Sequence, residues 1–287
     1  MDEHGARSAA IAGRAEINVR STAAPPRYIM IVPCYLAAHI PRRTSIMTAI
    51  DLPVLIIHTG DPEDPIRARH DSYAGFVRRA AGLAPEDVHI VPVFQGEPLP
   101  DPARYRAAFI TGSPAMVTDR EPWSEQTAQW LRHAAAQGLP MFGICYGHQL
   151  LAHALGGLVA YNPAGREVGT HMVQHLAEDP LLVDLPRPFP AQMMHLQSVI
   201  QPPPGAIVLA SSALDAHQML RMGPNIVSTQ FHPEFPPEFV LDNLERNTAK
   251  YGREDMDVEA LKQDVRPTPE AAGLLRRFLA LHAPVPA

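Results

Sequence analysis

The chain has 287 residues, 46% apolar and 19% charged, enough to bury a sizeable core and unlike the composition of a disordered protein. A net charge of −6 with no basic cluster argues against nucleic acid as a partner. Cys34 and Cys145 are its two cysteines, which excludes a disulfide framework and suggests a reducing, cytoplasmic setting.

Residues 1–46 are rich in arginine and alanine, with Pro25-Pro26 and one apolar stretch over 28–38. That stretch is too short to span a bilayer, which needs about 20 apolar residues. We expect residues 1–46 to be a disordered N-terminal extension, with translation from upstream of a start at Met47 as one origin. A targeting segment is the alternative. The organised domain is expected over residues 47–287, with its first element after Asp51.

From there, short apolar runs alternate with helical patterns. Residues 54–57 read as a buried parallel strand ending in Thr59-Gly60. Helical spacing over 67–82 places Tyr73, Phe76, Val77 and Ala80 on one stripe. Strands are predicted at 89–94 and 107–110, the latter running into Thr111-Gly112-Ser113-Pro114. A helix is predicted over 123–137, with Pro122 at its start and Gly138 at its end, where those residues cost least. A strand over 139–144 and a helix over 147–155 follow, closed by Gly156-Gly157. The later chain reads as strand-rich, at 158–161, 168–175, 206–210, 217–221 and 225–231. Helices then close it near 236–248, 257–263 and 268–281. This alternation predicts an α/β fold, a three-layer sandwich with a central, mainly parallel sheet of flavodoxin-like type.

Between the strand over 139–144 and its following helix the chain reads Gly143-Ile144-Cys145-Tyr146-Gly147-His148-Gln149. A cysteine at such a turn sits at the positive end of a helix, which favours the reactive thiolate. Glycines two residues to either side match a nucleophile elbow, in which small residues permit a strained turn and close packing. The turn alone also fits a buried structural cysteine. Farther on the chain reads Gln230-Phe231-His232-Pro233-Glu234. Residues i and i+2 of an extended segment share a face, so Glu234 can orient His232 and both can face the cysteine.

These strings resemble the class I, triad-type glutamine amidotransferases, over residues 143–152 and 230–235, with Thr111–Pro114 similar to that family's oxyanion loop. The likeness runs from about residue 52 to 282 and is nearest to stand-alone proteins related to the amidotransferase part of GMP synthase. His195-Leu196-Gln197-Ser198-Val199 supports that subgroup. The resemblance implies that Cys145 attacks the glutamine side-chain amide to form a γ-glutamyl thioester. His232 would move the proton and Glu234 would hold His232. Backbone N–H groups of Tyr146 and Ser113, with Gly112 beside them, would form the oxyanion hole, each donor worth on the order of 3 kcal/mol. Gln149, Gly147 and His195 are the implied substrate-binding residues. Ser113 stands where the family usually has glycine, which leaves open whether the loop must flip.

The resemblance thus implies a glutaminase supplying ammonia to a separate synthetase, with glutamine or a γ-glutamyl compound as substrate. Two alternatives are a stand-alone γ-glutamyl peptidase and a non-catalytic regulatory protein. No cofactor, metal or membrane association is expected. Asp61 and Asp64 lack a glycine-rich phosphate cradle, and His171 and His175 lack an acidic third ligand. His148, at a helix start, is expected to face solvent or a partner.

Overall fold

The structure, a computed structural model, describes residues 52–282. The predicted N-terminal extension, residues 1–46, lies outside the described residues. In chain order the elements are β1 (Val54–His58), α1 (Asp64–His70), α2 (Tyr73–Ala80), β2 (Val88–Pro92), β3 (Ala107–Ile110), α3 (Pro122–Ala136), β4 (Met141–Ile144) and α4 (Tyr146–Ala154). They continue with β5 (Leu158–Tyr161), β6 (Glu167–His175), β7 (Phe189–His195), β8 (Gln197–Gln201), β9 (Ile207–Ser211), β10 (Met219–Arg221) and β11 (Ile226–Thr229). Helices α5 (Pro237–Arg246), α6 (Thr248–Gly252), α7 (Val258–Asp264), α8 (Pro269–Ala272) and α9 (Leu274–Leu281) close the chain.

The main sheet has the order β2-β1-β3-β4-β11-β10-β9-β6-β7, and β5 pairs with β8 in a small separate sheet. From β2 to β11 every pairing is parallel, so these strands form the central, doubly covered part. From β10 onward the strands run antiparallel and extend the sheet to one side.

A parallel strand buried on both faces must be apolar at every position, and β1 shows why. Its Val54 and Ile56 pack with Ala74 and Val77 of α2 and with Leu274 and Phe278 of α9. Its Leu55 and Ile57 pack on the other face with Ala128 and Leu131 of α3 and Leu150 of α4. A third cluster joins Tyr73 and Phe76 of α2 to Phe235 and to Phe239 of α5. That cluster ties the chain after β11 back onto the start of the domain.

Besides the closing helices, where the stretches expected over 236–248 and 268–281 divide into α5 and α6 and into α8 and α9, two features differ from the predicted elements. The helix expected over 67–82 is two helices, broken at Asp71, whose φ of 103° is incompatible with a helix. Ser72 then caps α2, its hydroxyl accepting from the Gly75 N–H at 3.0 Å. Ser72→Ala should therefore destabilise the domain by about 1 kcal/mol, measurable as a lower denaturant midpoint at unchanged slope. The second difference is β7 and β8, absent from the predicted strands. Pro188 and Pro190 flank the start of β7 and mimic a loop signal, yet β7 forms an edge of the sheet, where proline is tolerated.

Candidate active site

Cys145 lies between the end of β4 and the first residue of α4, with φ 51° and ψ −100°. A non-glycine residue with positive φ is strained, and the surroundings hold this one in place. Its N–H donates to the Thr229 carbonyl of β11 at 2.8 Å, and its carbonyl accepts from the Gln149 N–H at 3.0 Å. The glycines to either side leave no room for a side chain. A Cβ on Gly147 would stand 2.4 Å from the Ile110 carbonyl oxygen, and one on Gly143 would stand 2.5 Å from the Gly147 carbonyl oxygen. The elbow is thus wedged between β3, β4 and α4.

His232 follows β11, the strand beside β4, so the histidine and the cysteine leave the same end of adjacent parallel strands. Its N–H donates to the Gln192 carbonyl of β7 at 2.8 Å, and its ring stacks on Phe235 at 4.0 Å. Nδ1 lies 2.8 Å from Oε1 of Glu234, whose side chain is fully buried. Burial works to lower the proton affinity of His232. The Glu234 carboxylate and then Cys145 outweigh it, and the imidazole pKa is raised to about 10. Oε2 of Glu234 has no partner among the described residues, so this carboxylate is committed to His232.

Thr111–Pro114 faces the elbow from β3. The Thr59 hydroxyl donates to the Gly112 carbonyl at 2.9 Å, and the Ser113 hydroxyl donates to the Thr59 carbonyl at 2.8 Å. In a trans peptide the C=O and N–H point in opposite directions, so fixing the Gly112 carbonyl on Thr59 turns the Ser113 N–H away from it. Neither that N–H nor the Tyr146 N–H meets an acceptor among the described residues. Gly112 packs so close that a Cβ would stand 3.0 Å from Cε1 of His232 and 3.7 Å from Cβ of Cys145.

Cys145, His232, Ser113, Tyr146, Gln149 and His195 all line one cavity of about 210 Å³. Gln149 is fixed there by its amide nitrogen, which donates to the Gln197 carbonyl at 2.8 Å and to Oε1 of Gln230 at 2.9 Å. His195 is buried at the end of β7. Its Nε2 lies 3.0 Å from Oε2 of Glu167, and its Nδ1 lies 3.1 Å from the Gln197 carbonyl. Both ring nitrogens thus have protein partners. Gly147 contributes close packing, not a side chain.

His148 contradicts its predicted exposure. It is entirely buried against β11, with Nδ1 2.8 Å from the Ser228 hydroxyl. Burial, aided by the charges of His195 and His217, pushes its pKa down to about 3, so it is a neutral packing residue. Tyr73 is a cavity residue with no motif to announce it. Burial first, and then the charges of Cys145 and Glu234, keep its phenol protonated. Only the packing of α2 against Phe235 and Phe239 brings it there.

Among the described residues no group of three His, Cys, Asp or Glu side chains is placed to hold a metal, and no helix is long and apolar enough to cross a membrane.

Residues 69–246 match the profile of the family described as Glutamine amidotransferase class-I. The chain is similar to the GMP synthase [glutamine-hydrolyzing] of Thermomicrobium roseum, 41% identical over 130 residues, 45% of this chain and 23% of that protein. It is also similar to a GMP synthase [glutamine-hydrolyzing] subunit of Saccharolobus solfataricus, 31% identical over 151 residues, 52% of this chain and 76% of that one. The chain spans about a quarter of the length of the first two curated relatives, both GMP synthases. Among solved structures, a glutamine amidotransferase from Thermotoga maritima superposes with a TM-score of 0.65 at 21% identity, covering 81% of this chain and 98% of that one. The latter likeness concerns the fold, and it matches the large central sheet described above. With the profile spanning more than half of its length, the chain belongs to the glutamine amidotransferase class-I family of enzymes.

Proposed function

We propose that this protein hydrolyses the side-chain amide of glutamine through Cys145, His232 and Glu234 and supplies the ammonia to a separate synthetase. The observation that carries the reading is the buried His232–Glu234 pair at 2.8 Å, just past the strand next to that of a strained cysteine, with His232 and Cys145 lining the same cavity. In this reading the Cys145 sulfur attacks the amide carbon, and the tetrahedral oxyanion takes hydrogen bonds from the N–H groups of Ser113 and Tyr146. His232, carrying a proton at neutral pH, delivers it to the leaving nitrogen. The C–N bond breaks, ammonia departs, and a γ-glutamyl thioester remains. Water, deprotonated by His232, then cleaves the thioester to glutamate and free cysteine. Gln149 offers its amide oxygen to the substrate, its nitrogen being already committed.

A separate synthetase is suggested by the similarity to the GMP synthase protein of Saccharolobus solfataricus, which its name makes one part of an assembly. The test is ammonia release from glutamine by the purified chain, with and without cell extract, together with mass-spectrometric mapping of the site labelled by a glutamine-like electrophile. Release and labelling at Cys145 are expected. Absence of both under both conditions rejects the reading.

The pH dependence follows from the raised proton affinity of His232. The protonated imidazole is lost as pH rises through about 10, so kcat/KM should fall on the alkaline side there. Glu234 is the main group that holds this pKa up, so Glu234→Gln should move the alkaline limb to lower pH by about one unit or more. The same change should lower kcat by about 100-fold, because the imidazole loses its orienting partner. An alkaline limb that stays in place in Glu234→Gln removes Glu234 from the role assigned to it.

A further inference from the structure

Segments far apart in the chain wall the cavity that holds Cys145, among them Arg166, α6 with Tyr251, and the corner between β7 and β8. At that corner the chain leaves the main sheet for the small one within a single residue, Leu196. The Gln197 carbonyl just past it accepts from two side chains, Nε2 of Gln149 at 2.8 Å and Nδ1 of His195 at 3.1 Å. A carbonyl oxygen can only accept, so the hydrogen on this side of the ring is carried by Nδ1. Asp215 stands 4.0 Å from the same nitrogen, but its carboxylate is taken up by the Ser198 hydroxyl at 2.5 Å and the His217 N–H at 2.8 Å.

The other ring nitrogen is held as firmly. Glu167 stands opposite His195 in the β6–β7 ladder, and its Oε2 lies 3.0 Å from Nε2. The same oxygen accepts from Nε2 of Gln218 at 2.7 Å. Glu167 is completely buried, where a carboxylate without partners is costly. Burial raises its proton affinity, and the hydrogen bond and charge of His195 more than reverse that. Neither nitrogen of the imidazole is left for a substrate, so His195 acts through the Gln197 carbonyl. Gln149 completes the chain of contacts. Its amide nitrogen has two hydrogens, one for Gln197 and one for Oε1 of Gln230 at 2.9 Å. With both placed, the amide oxygen is the atom left to face the cavity. A Gln197 carbonyl free to swing would remove one anchor and let the amide turn over, presenting its nitrogen in place of its oxygen.

We propose that Glu167 and His195 are positioning residues: Glu167 holds the imidazole, the imidazole holds the Gln197 carbonyl, and that carbonyl keeps the Gln149 amide oxygen turned toward the substrate. This rests on the amide-hydrolysis reading of the cavity.

The experiment compares His195→Asn and His195→Gln in the full chain, by steady-state ammonia release from L-glutamine and by thermal unfolding. An asparagine side-chain nitrogen can stand where Nδ1 stands, whereas a glutamine nitrogen falls nearer Nε2. His195→Gln should raise KM about fivefold with a smaller change in kcat, the size of one lost hydrogen bond. His195→Asn should recover most of that loss. Packing predicts the opposite order, because asparagine is the smaller residue and leaves the Glu167 carboxylate without its partner. Thermal midpoints should follow the packing order, so KM and stability are expected to rank the two variants in opposite senses. Glu167→Gln should raise KM about threefold in the wild-type chain and add nothing in His195→Asn, where no imidazole is left to hold. KM that ranks with stability, or that is unchanged in every variant, overturns the proposal. A Glu167→Gln effect of equal size in both backgrounds overturns the part given to Glu167. If the wild-type chain turns over no glutamine, the hydrolysis reading fails instead. The positioning is then judged by NMR, as hydrogen exchange of the Gln149 side-chain amide. Exchange should be slow in the wild-type chain and His195→Asn and about tenfold faster in His195→Gln. Equal exchange in all three overturns the proposal.

Discussion

Replacing Cys145 by serine should lower ammonia release from glutamine by about 10,000-fold or more, the scale on which loss of a nucleophile acts when its relay is intact. The substitution is nearly isosteric and leaves the N–H to Thr229 and the carbonyl to Gln149 in place, so the elbow should close as before. What changes is the chemistry. The hydroxyl is far less acidic than the thiol it replaces, and a His232 already protonated at neutral pH is poorly suited to deprotonate it. The measurements are steady-state ammonia release and circular dichroism on the same preparation. Native folding with activity within tenfold of wild type would remove Cys145 as nucleophile.

Gly147→Ala should be the most destabilising single methyl group that can be added near the site, costing about 3 kcal/mol, or roughly 6–12 °C in Tm for a domain of this size. The Cβ would meet backbone, 2.4 Å from the Ile110 carbonyl oxygen and 2.9 Å from its carbon, and backbone cannot rotate aside as a flexible side chain can. Either α4 lifts from β3 or β3 shifts, and Cys145 moves with α4 in both cases. Activity should fall with stability. Gly252→Ala is the control, since a Cβ there meets nothing within 4 Å and alanine favours a helix. Similar midpoints for the two variants in thermal or denaturant unfolding would show that the elbow is looser than its contacts imply.

Much of this architecture is legible in the chain because buried parallel strands must be apolar throughout. Val54–Ile57, Ala107–Ile110 and the strand before Cys145 are short uniform runs between glycines and prolines, and the observed strands coincide with them. The pairing of Cys145 with His232 is legible for the same reason, since each motif follows such a strand. Where propensity and context disagree, the reading fails. The stripe of Tyr73, Phe76, Val77 and Ala80 continues a helical period through Asp71, yet the backbone reverses there and α2 begins anew. β7 carries Pro190 and two methionines in place of β-branched residues, and pairing with β6 makes it a strand. His148 stands beside polar residues in sequence but is covered by β11 in space. Tyr73, Arg166 and Tyr251 have no local signature, because they meet only after segments far apart in the chain pack together.

Cys145 and His232 are carried by strands hydrogen-bonded to each other, and the Cys145 N–H itself joins their ladder through Thr229. Moving the Cys145 backbone away from β11 would mean breaking into the ladder at the middle of the sheet, among the last parts of a domain to open. Any control by an outside protein must therefore leave that dyad alone. What remains adjustable is the Thr111–Pro114 loop, held by a few hydroxyl contacts to Thr59, and the α6 wall across the cavity. On the proposed reading, an activator of this enzyme would have to act on the Thr111–Pro114 loop or on entry to the cavity, changing how well a substrate is held but not whether Cys145 is ready.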